Sequence, residues 1–181
     1  MRKEDGKRLI ELARKSIESY FSKKDINLET YKKFSDKQGV FVTLHKKGEL
    51  RGCIGFPYPI YPLYQAVFEA ARAAAFEDCR FHPVEQGELK DIDIEVSVLT
   101  VPEEIASDPE DLPKHIKIGE DGLIIKGPSG SGLLLPQVFT EYHCTPERAL
   151  EMTCQKAGLP EDAWKNRKNK VFRFQAQVFS E

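Results

Sequence analysis

The sequence predicts an α+β fold: a mainly antiparallel sheet with about three helices. Two observations carry this expectation. Segments of helical period stand near the start, in the middle and toward the end, and the stretches between them alternate apolar and polar residues with period two. Hairpin-type turns, rather than strict strand-helix-strand alternation, join those stretches. The length of 181 residues with 40% hydrophobic content is enough for one domain with a sizeable interior.

The first helix is expected over 4–24, where Leu9, Ile10, Ala13, Ile17, Tyr20 and Phe21 recur at spacings of three and four between charged residues. Val40 to Leu44 is β-branched and aromatic, and the polar stretch HKKGE after it reads as a hairpin turn into a partner strand, LRGCIG at 50–55. The three prolines of FPYPIYPLY exclude a central strand and make that stretch a surface loop. A buried helix follows, with Val67, Ala70, Ala71 and Ala74 on one face. In IDIEVSVLT, Ile92, Ile94, Val96 and Val98 alternate with Asp93, Glu95 and Ser97, which is the pattern of a half-buried strand.

From 110 to 139, turn signals at 120–122 and 128–130 separate short apolar runs, so this region reads as a meander that includes LLLPQVF. Thr145-Pro146-Glu147 is a helix start with a hydroxyl cap and a first-turn proline, and Gly158 is placed to end that helix. The chain closes on KVFRFQAQVF, in which Phe172, Phe174, Ala176 and Val178 alternate with polar residues as in a strand. The chain is expected to be a single domain, 1–181, with two interleaved lobes whose seams fall near 56–62 and 102–113.

The 27 basic and 29 acidic residues leave a net charge of -2, which disfavours nucleic acid and membrane surfaces as partners, while leaving room for a local basic patch. No window has the apolar run of a signal peptide or a spanning helix, and the four cysteines show no CxxC pairing. A cytoplasmic protein with reduced thiols is expected.

The candidate chemistry centres on LRGCIG. On a strand, Arg51 and Cys53 point to one face and Gly52, Ile54 and Phe56 to the other. A guanidinium beside a thiol favours the nucleophilic thiolate, and glycines beside it let a ligand approach the backbone. The competing reading is a buried Cys53, an Arg51 paired with an acid, and glycines that accommodate a bulge. Glu95, on the polar phase of its strand, is the candidate general base. None of His45, His82, His115 and His143 is placed by the sequence next to Cys53.

Cys79-x-x-His82 with His143-Cys144 is a weak zinc set, because adjacent His and Cys suit one ion poorly, so no metal is expected. GPSGSG lacks the Lys-Ser/Thr ending of a phosphate loop and reads as a hairpin turn. Gln137 is an amide in an apolar run, able to hydrogen-bond a ligand, and Trp164 reads as a core plug. The sequence indicates no particular cofactor.

LRGCIG at 50–55, AAFEDCRFHP at 74–83, IEVSVLT at 94–100, LLPQV at 134–138 and CQKAGLPEDAW at 154–164 together resemble the AMMECR domain family over essentially the whole chain. The resemblance implies one α+β domain with two lobes and a cleft near the LRGCIG strand, and no established reaction. It also implies a link to Memo-like and radical SAM proteins, and hence a pathway that modifies a small molecule. This chain departs from the family pattern at Cys144, where the pattern tends to carry tryptophan; that weakens any role for His143 and Cys144.

The expected function is an enzyme or enzyme subunit that binds a small polar metabolite. Cys53 would be nucleophile or covalent anchor, Arg51 would orient an anionic group or lower the thiol pKa, Glu95 would be the base, and Gly52, Ile54, Gly55 and Gln137 the binding wall. The alternative is a non-catalytic adaptor presenting LRGCIGFPYPIYP, with Phe56, Tyr58, Ile60, Tyr61 and Tyr64 as anchors.

Overall fold

The computed structural model describes residues 1–181. The chain forms two compact units, one made of Met1–Leu99 with Gln177–Glu181 and the other of Thr100–Ala176. Each encloses its own apolar core. The proline-rich stretch 56–62 lies inside the first unit and 102–113 inside the second.

The first unit opens with helix α1 (Lys3–Ser22), whose stripe of Leu9, Leu12, Ala13 and Ile17 is fully buried. Strands β1 (Gly39–Lys46) and β2 (Glu49–Phe56) follow as an antiparallel hairpin. Its two-residue loop, Lys47-Gly48, has positive φ at both positions (55° and 83°), the backbone whose twist matches paired strands. Helix α2 (Leu63–Phe76) then packs Ala66, Val67, Ala70, Ala71 and Ala74 into the core. These small side chains let the helix backbone approach the sheet closely.

Strand β3 (Ile92–Leu99) lies on the other side of β1, so the order is β2-β1-β3, all antiparallel. Val40, Val42 and Leu44 of β1 and Ile92, Ile94, Val96 and Val98 of β3 point toward the helices, as the alternation predicts.

The second unit is a meander on which helices pack. Asp121–Gly127 (β5) pairs with Gly130–Leu134 (β6) and with the last strand, Lys170–Ser180 (β7). The two-residue strand Glu103–Glu104 (β4) pairs with β7. The core holds Leu123 and Ile125 of β5, Phe139 of a short helix α3 (Pro136–Glu141), Ala149, Leu150 and Cys154 of helix α4 (Pro146–Lys156), and Trp164. The sequence reading runs LLLPQVF through as one meander segment, but the chain turns helical at Pro136, whose fixed φ suits a first helical position. At α4 the Thr145 hydroxyl accepts from the Arg148 N–H at 3.3 Å, and Gly158, at φ 71°, follows its end.

β7 also departs from simple alternation. Val178 is 44% exposed, while the next residue, Phe179, packs against the first core. Its ring occupies the space that a side chain on Gly6 of α1 would need.

Candidate functional site

Cys53, Thr43 and Glu95 form one row across the first sheet, since Thr43 of β1 stands opposite both Cys53 of β2 and Glu95 of β3. All three are partly accessible, on the face opposite the helices. The Thr43 hydroxyl donates to the Cys53 sulfur at 3.3 Å. The Cys53 backbone is held from the segment after α2: its N–H donates to Asp78 Oδ2 at 2.9 Å, and its carbonyl accepts from Arg80 Nη2 at 3.3 Å.

Asp78 is the buried anchor of this arrangement, with only 6% exposure. Besides the Cys53 N–H it accepts from Arg80 Nε at 2.9 Å, Arg80 Nη2 at 2.7 Å and the Arg80 backbone N–H at 3.2 Å. The Arg80 guanidinium, followed by the backbone N–H groups, holds the Asp78 carboxyl well below the usual carboxylate range despite its burial. Burial pushes the Cys53 thiol above its ordinary pKa. The Thr43 hydroxyl and Arg80 pull it down, Asp78 and Glu95 push it up, and the net direction is upward. At neutral pH Cys53 is therefore a protonated thiol with a hydroxyl donor beside it.

Arg51 is turned to another task. The β1–β2 register shifts between Leu44, opposite Gly52, and His45, opposite Leu50, which leaves Arg51 as the extra residue of a β-bulge. Its Nε pairs with Glu88 Oε1 at 2.8 Å, and Nη2 donates to the Pro83 carbonyl at 3.4 Å. Lys46 also reaches Glu88, at 3.5 Å, and the buried Arg51 Nη1 has no hydrogen-bond partner. Arg80, rather than Arg51, is the guanidinium that acts on the thiol.

The two glycines of LRGCIG serve packing. A methyl group on Gly52 would fall on the Ala74 carbonyl oxygen of α2, and one on Gly55 on the Val40 carbonyl and the Phe41 ring. Ile54 packs against the helix-side core. Gln137 is exposed on α3 in the second unit. His45 stands opposite Leu50 and Asp93, not opposite Cys53. Cys79 is exposed in the first unit; in the second, Cys144 is buried with its thiol toward the Met152 sulfur at 3.4 Å, and His143 sits at φ 48°. No three His, Cys, Asp or Glu side chains are grouped to hold a metal ion.

The sequence reading missed Asp78, Arg80, Glu88 and Thr43. Asp78 and Arg80 had one usable signal, an Asp two residues before an Arg just past a helix end, while Glu88 had none.

A family model described as AMMECR1 matches residues 10–179. A protein of Methanothermobacter thermautotrophicus is 48% identical over 99% of this chain and 95% of its own length. Another from Thermococcus onnurineus is 50% identical over 97% of this chain and 90% of its own. The crystal structure of uncharacterized protein PH0010 from Pyrococcus horikoshii superposes with a TM-score of 0.91 at 46% identity, covering all of this chain and 93% of that one.

Proposed function

The chain belongs to the AMMECR1 family, and from that premise we propose an enzyme or enzyme subunit that binds a small polar metabolite on the Cys53 face of the first unit and uses thiol-dependent chemistry. The observation that carries this reading is the row Cys53, Thr43, Glu95, in which a thiol, a hydroxyl and a carboxylate share one partly accessible sheet face.

The spacing limits what each group does. Two strand separations, about 10 Å, lie between Cys53 and Glu95, too far for direct proton transfer. A bound metabolite spans the row, with one end at the thiol and the other at the carboxylate. The thiol proton passes to the metabolite end beside Cys53 while Glu95 takes a proton from its far end; Thr43 donates to the Cys53 sulfur as charge develops on it, and Arg80 adds positive potential. Asp78 positions both Arg80 and the Cys53 backbone.

Alkylation by iodoacetamide, followed peptide by peptide across pH, tests this. Cys53 in the folded protein is expected to react with a midpoint above the roughly 8.5 of a free thiol. Buried Cys154 should stay silent until the protein unfolds. The small-molecule filtrate of a cell extract should slow Cys53 in the wild type and not in Glu95→Gln. A Cys53 that reacts only on unfolding would sink the thiol chemistry.

A second reading is favoured by the loop after β2. Ile60 is 56% exposed and Tyr61 38%, with the Tyr61 ring held edge-on to Phe56 at 5.3 Å. Exposed apolar anchors on a proline-stiffened loop fit an adaptor for a protein partner, such as a Memo-like or radical SAM protein. Loss of such a partner in Tyr61→Ala with retention in Cys53→Ser selects this reading.

A further inference from the structure

On the helix side of the first unit, the end of α1 and the outer flank of α2 enclose a concavity of about 530 Å³. Tyr20, Lys23, Lys24, Asp25, Phe68 and Arg72 are among its lining residues. Its volume lies within the roughly 300–1,000 Å³ typical of small-molecule sites. It is independent of the Cys53 row, which occupies the opposite face of the sheet.

Two features of this site bear on what it could bind. The first is an exposed ring that is already fixed: Tyr20 is 50% exposed, yet it stacks on Phe76 at 4.0 Å and 24°. Phe21 meets both rings edge-on, at 5.5 and 5.7 Å. An aromatic platform held this way loses little freedom when a flat ligand stacks on it.

The second feature is uncompensated charge. About half of the chain's cations find carboxylates, as in Lys15–Glu11, Lys32–Glu29 and Lys114–Asp111. Lys23, Lys24 and Arg72 form no such pair, and Asp25 is the one acid lining the concavity. Arg72 instead lies over two rings, 5.7 Å from the Tyr20 centroid and 5.6 Å from that of Phe68. Carbonyls at the end of α1 favour nearby lysines, but Arg72 is not in the last turn of its helix.

We propose that this concavity binds a nucleotide unit, with the base on the Tyr20 and Arg72 platform and the phosphate against Lys23 and Lys24. A π-platform combined with unpaired cations is the chemistry that recognises nucleotides in single strands, and a free nucleotide presents the same groups. The net charge of -2 does not oppose it, because the three cations are local.

Equilibrium dialysis with AMP and fluorescence anisotropy with a short labelled oligodeoxyadenylate test the proposal on the full chain. Saturable binding of AMP identifies a free-nucleotide site; binding of the oligonucleotide alone identifies a single-strand site; either supports the proposal. The doubly substituted Lys23→Gln, Lys24→Gln variant, whose side chains are exposed, should lower the salt slope of oligonucleotide binding by about 1.4. Tyr20→Leu should weaken whichever ligand binds by about 5- to 150-fold. Absence of binding by both probes overturns the proposal. So does inorganic phosphate competing as well as AMP, or Tyr20→Leu and the double lysine variant both binding like the wild type.

Discussion

Strands β2 and β6 solve the same packing problem, and only one of them carries a candidate site. In each, a glycine removes the side chain that would strike a helix backbone: Gly52 lies against the Ala74 carbonyl, and Gly132 against Ala157 at the end of α4. The neighbours of these glycines differ. Beside Gly132 stand an exposed Ser131 and the apolar Leu133. Beside Gly52 stands Cys53, which meets a hydroxyl, has its backbone clamped by a buried carboxylate, and shares its row with Glu95. The glycines therefore report helix-to-sheet proximity, and the chemistry resides in what the neighbouring positions present to the other face.

The largest expected effect comes from filling those glycines. Gly52→Ala and Gly132→Ala should each destabilise by about 3 kcal/mol, since in both the new methyl meets backbone that cannot yield cheaply. For a chain of this length that lowers Tm by about 6–12 °C in calorimetry. Gly87, where an added methyl would meet open space and φ is not positive, should tolerate alanine within about 0.5 kcal/mol. An unchanged Tm in Gly52→Ala would break the parallel between the two strands.

Asp78→Asn sharpens what is peculiar to β2. It should cost about 1–3 kcal/mol at neutral pH by weakening the acceptor shared by the Cys53 N–H and Arg80. The folded-state pKa of Asp78 is depressed below its unfolded value of about 3.9, so the unfolded chain binds more protons between the two. The stability Asp78 contributes is full above that interval and is lost as pH falls through it. Urea midpoints of wild type and variant should therefore converge on acidification; a gap that stays constant would show that the carboxylate charge is not what matters.

The smallest expected effect is at Thr43. Thr43→Val removes the donor to the Cys53 sulfur and should raise the thiol pKa further, slowing alkylation at fixed pH by about five-fold for a bond worth about 1 kcal/mol. Cys154, raised by its own burial, should not respond.

Where local chemistry decides, the sequence was readable. The alternation of Ile92, Ile94, Val96 and Val98 marks the buried face of β3, and Thr145-Pro146 marks the start of α4, because each signal acts within a few residues. It failed where a contact from far along the chain decides. Two readings of Arg51 stood open, activator of Cys53 or mate of an acid in a bulged strand; the second holds, but the acid, Glu88, lies 37 residues on and was not legible. Arg80 takes the activator's place because Asp78, 25 residues beyond Cys53, fixes it there. Pro136 carried a helix-start signal that the surrounding leucines masked. Phe179 rather than Val178 packs inward because Gly6, at the other end of the chain, leaves space for it.

The placement of Gln177–Glu181 has a consequence for biosynthesis. Arg14 forms its ion pair with Glu181, 167 residues later, and Phe179 fills the recess at Gly6. On a ribosome the helices and hairpin of the first unit emerge early, but the segment that completes them emerges only after all of Thr100–Ala176. The nascent first unit must wait with an open flank while the second is made, so folding order and translation order are opposed at this one strand.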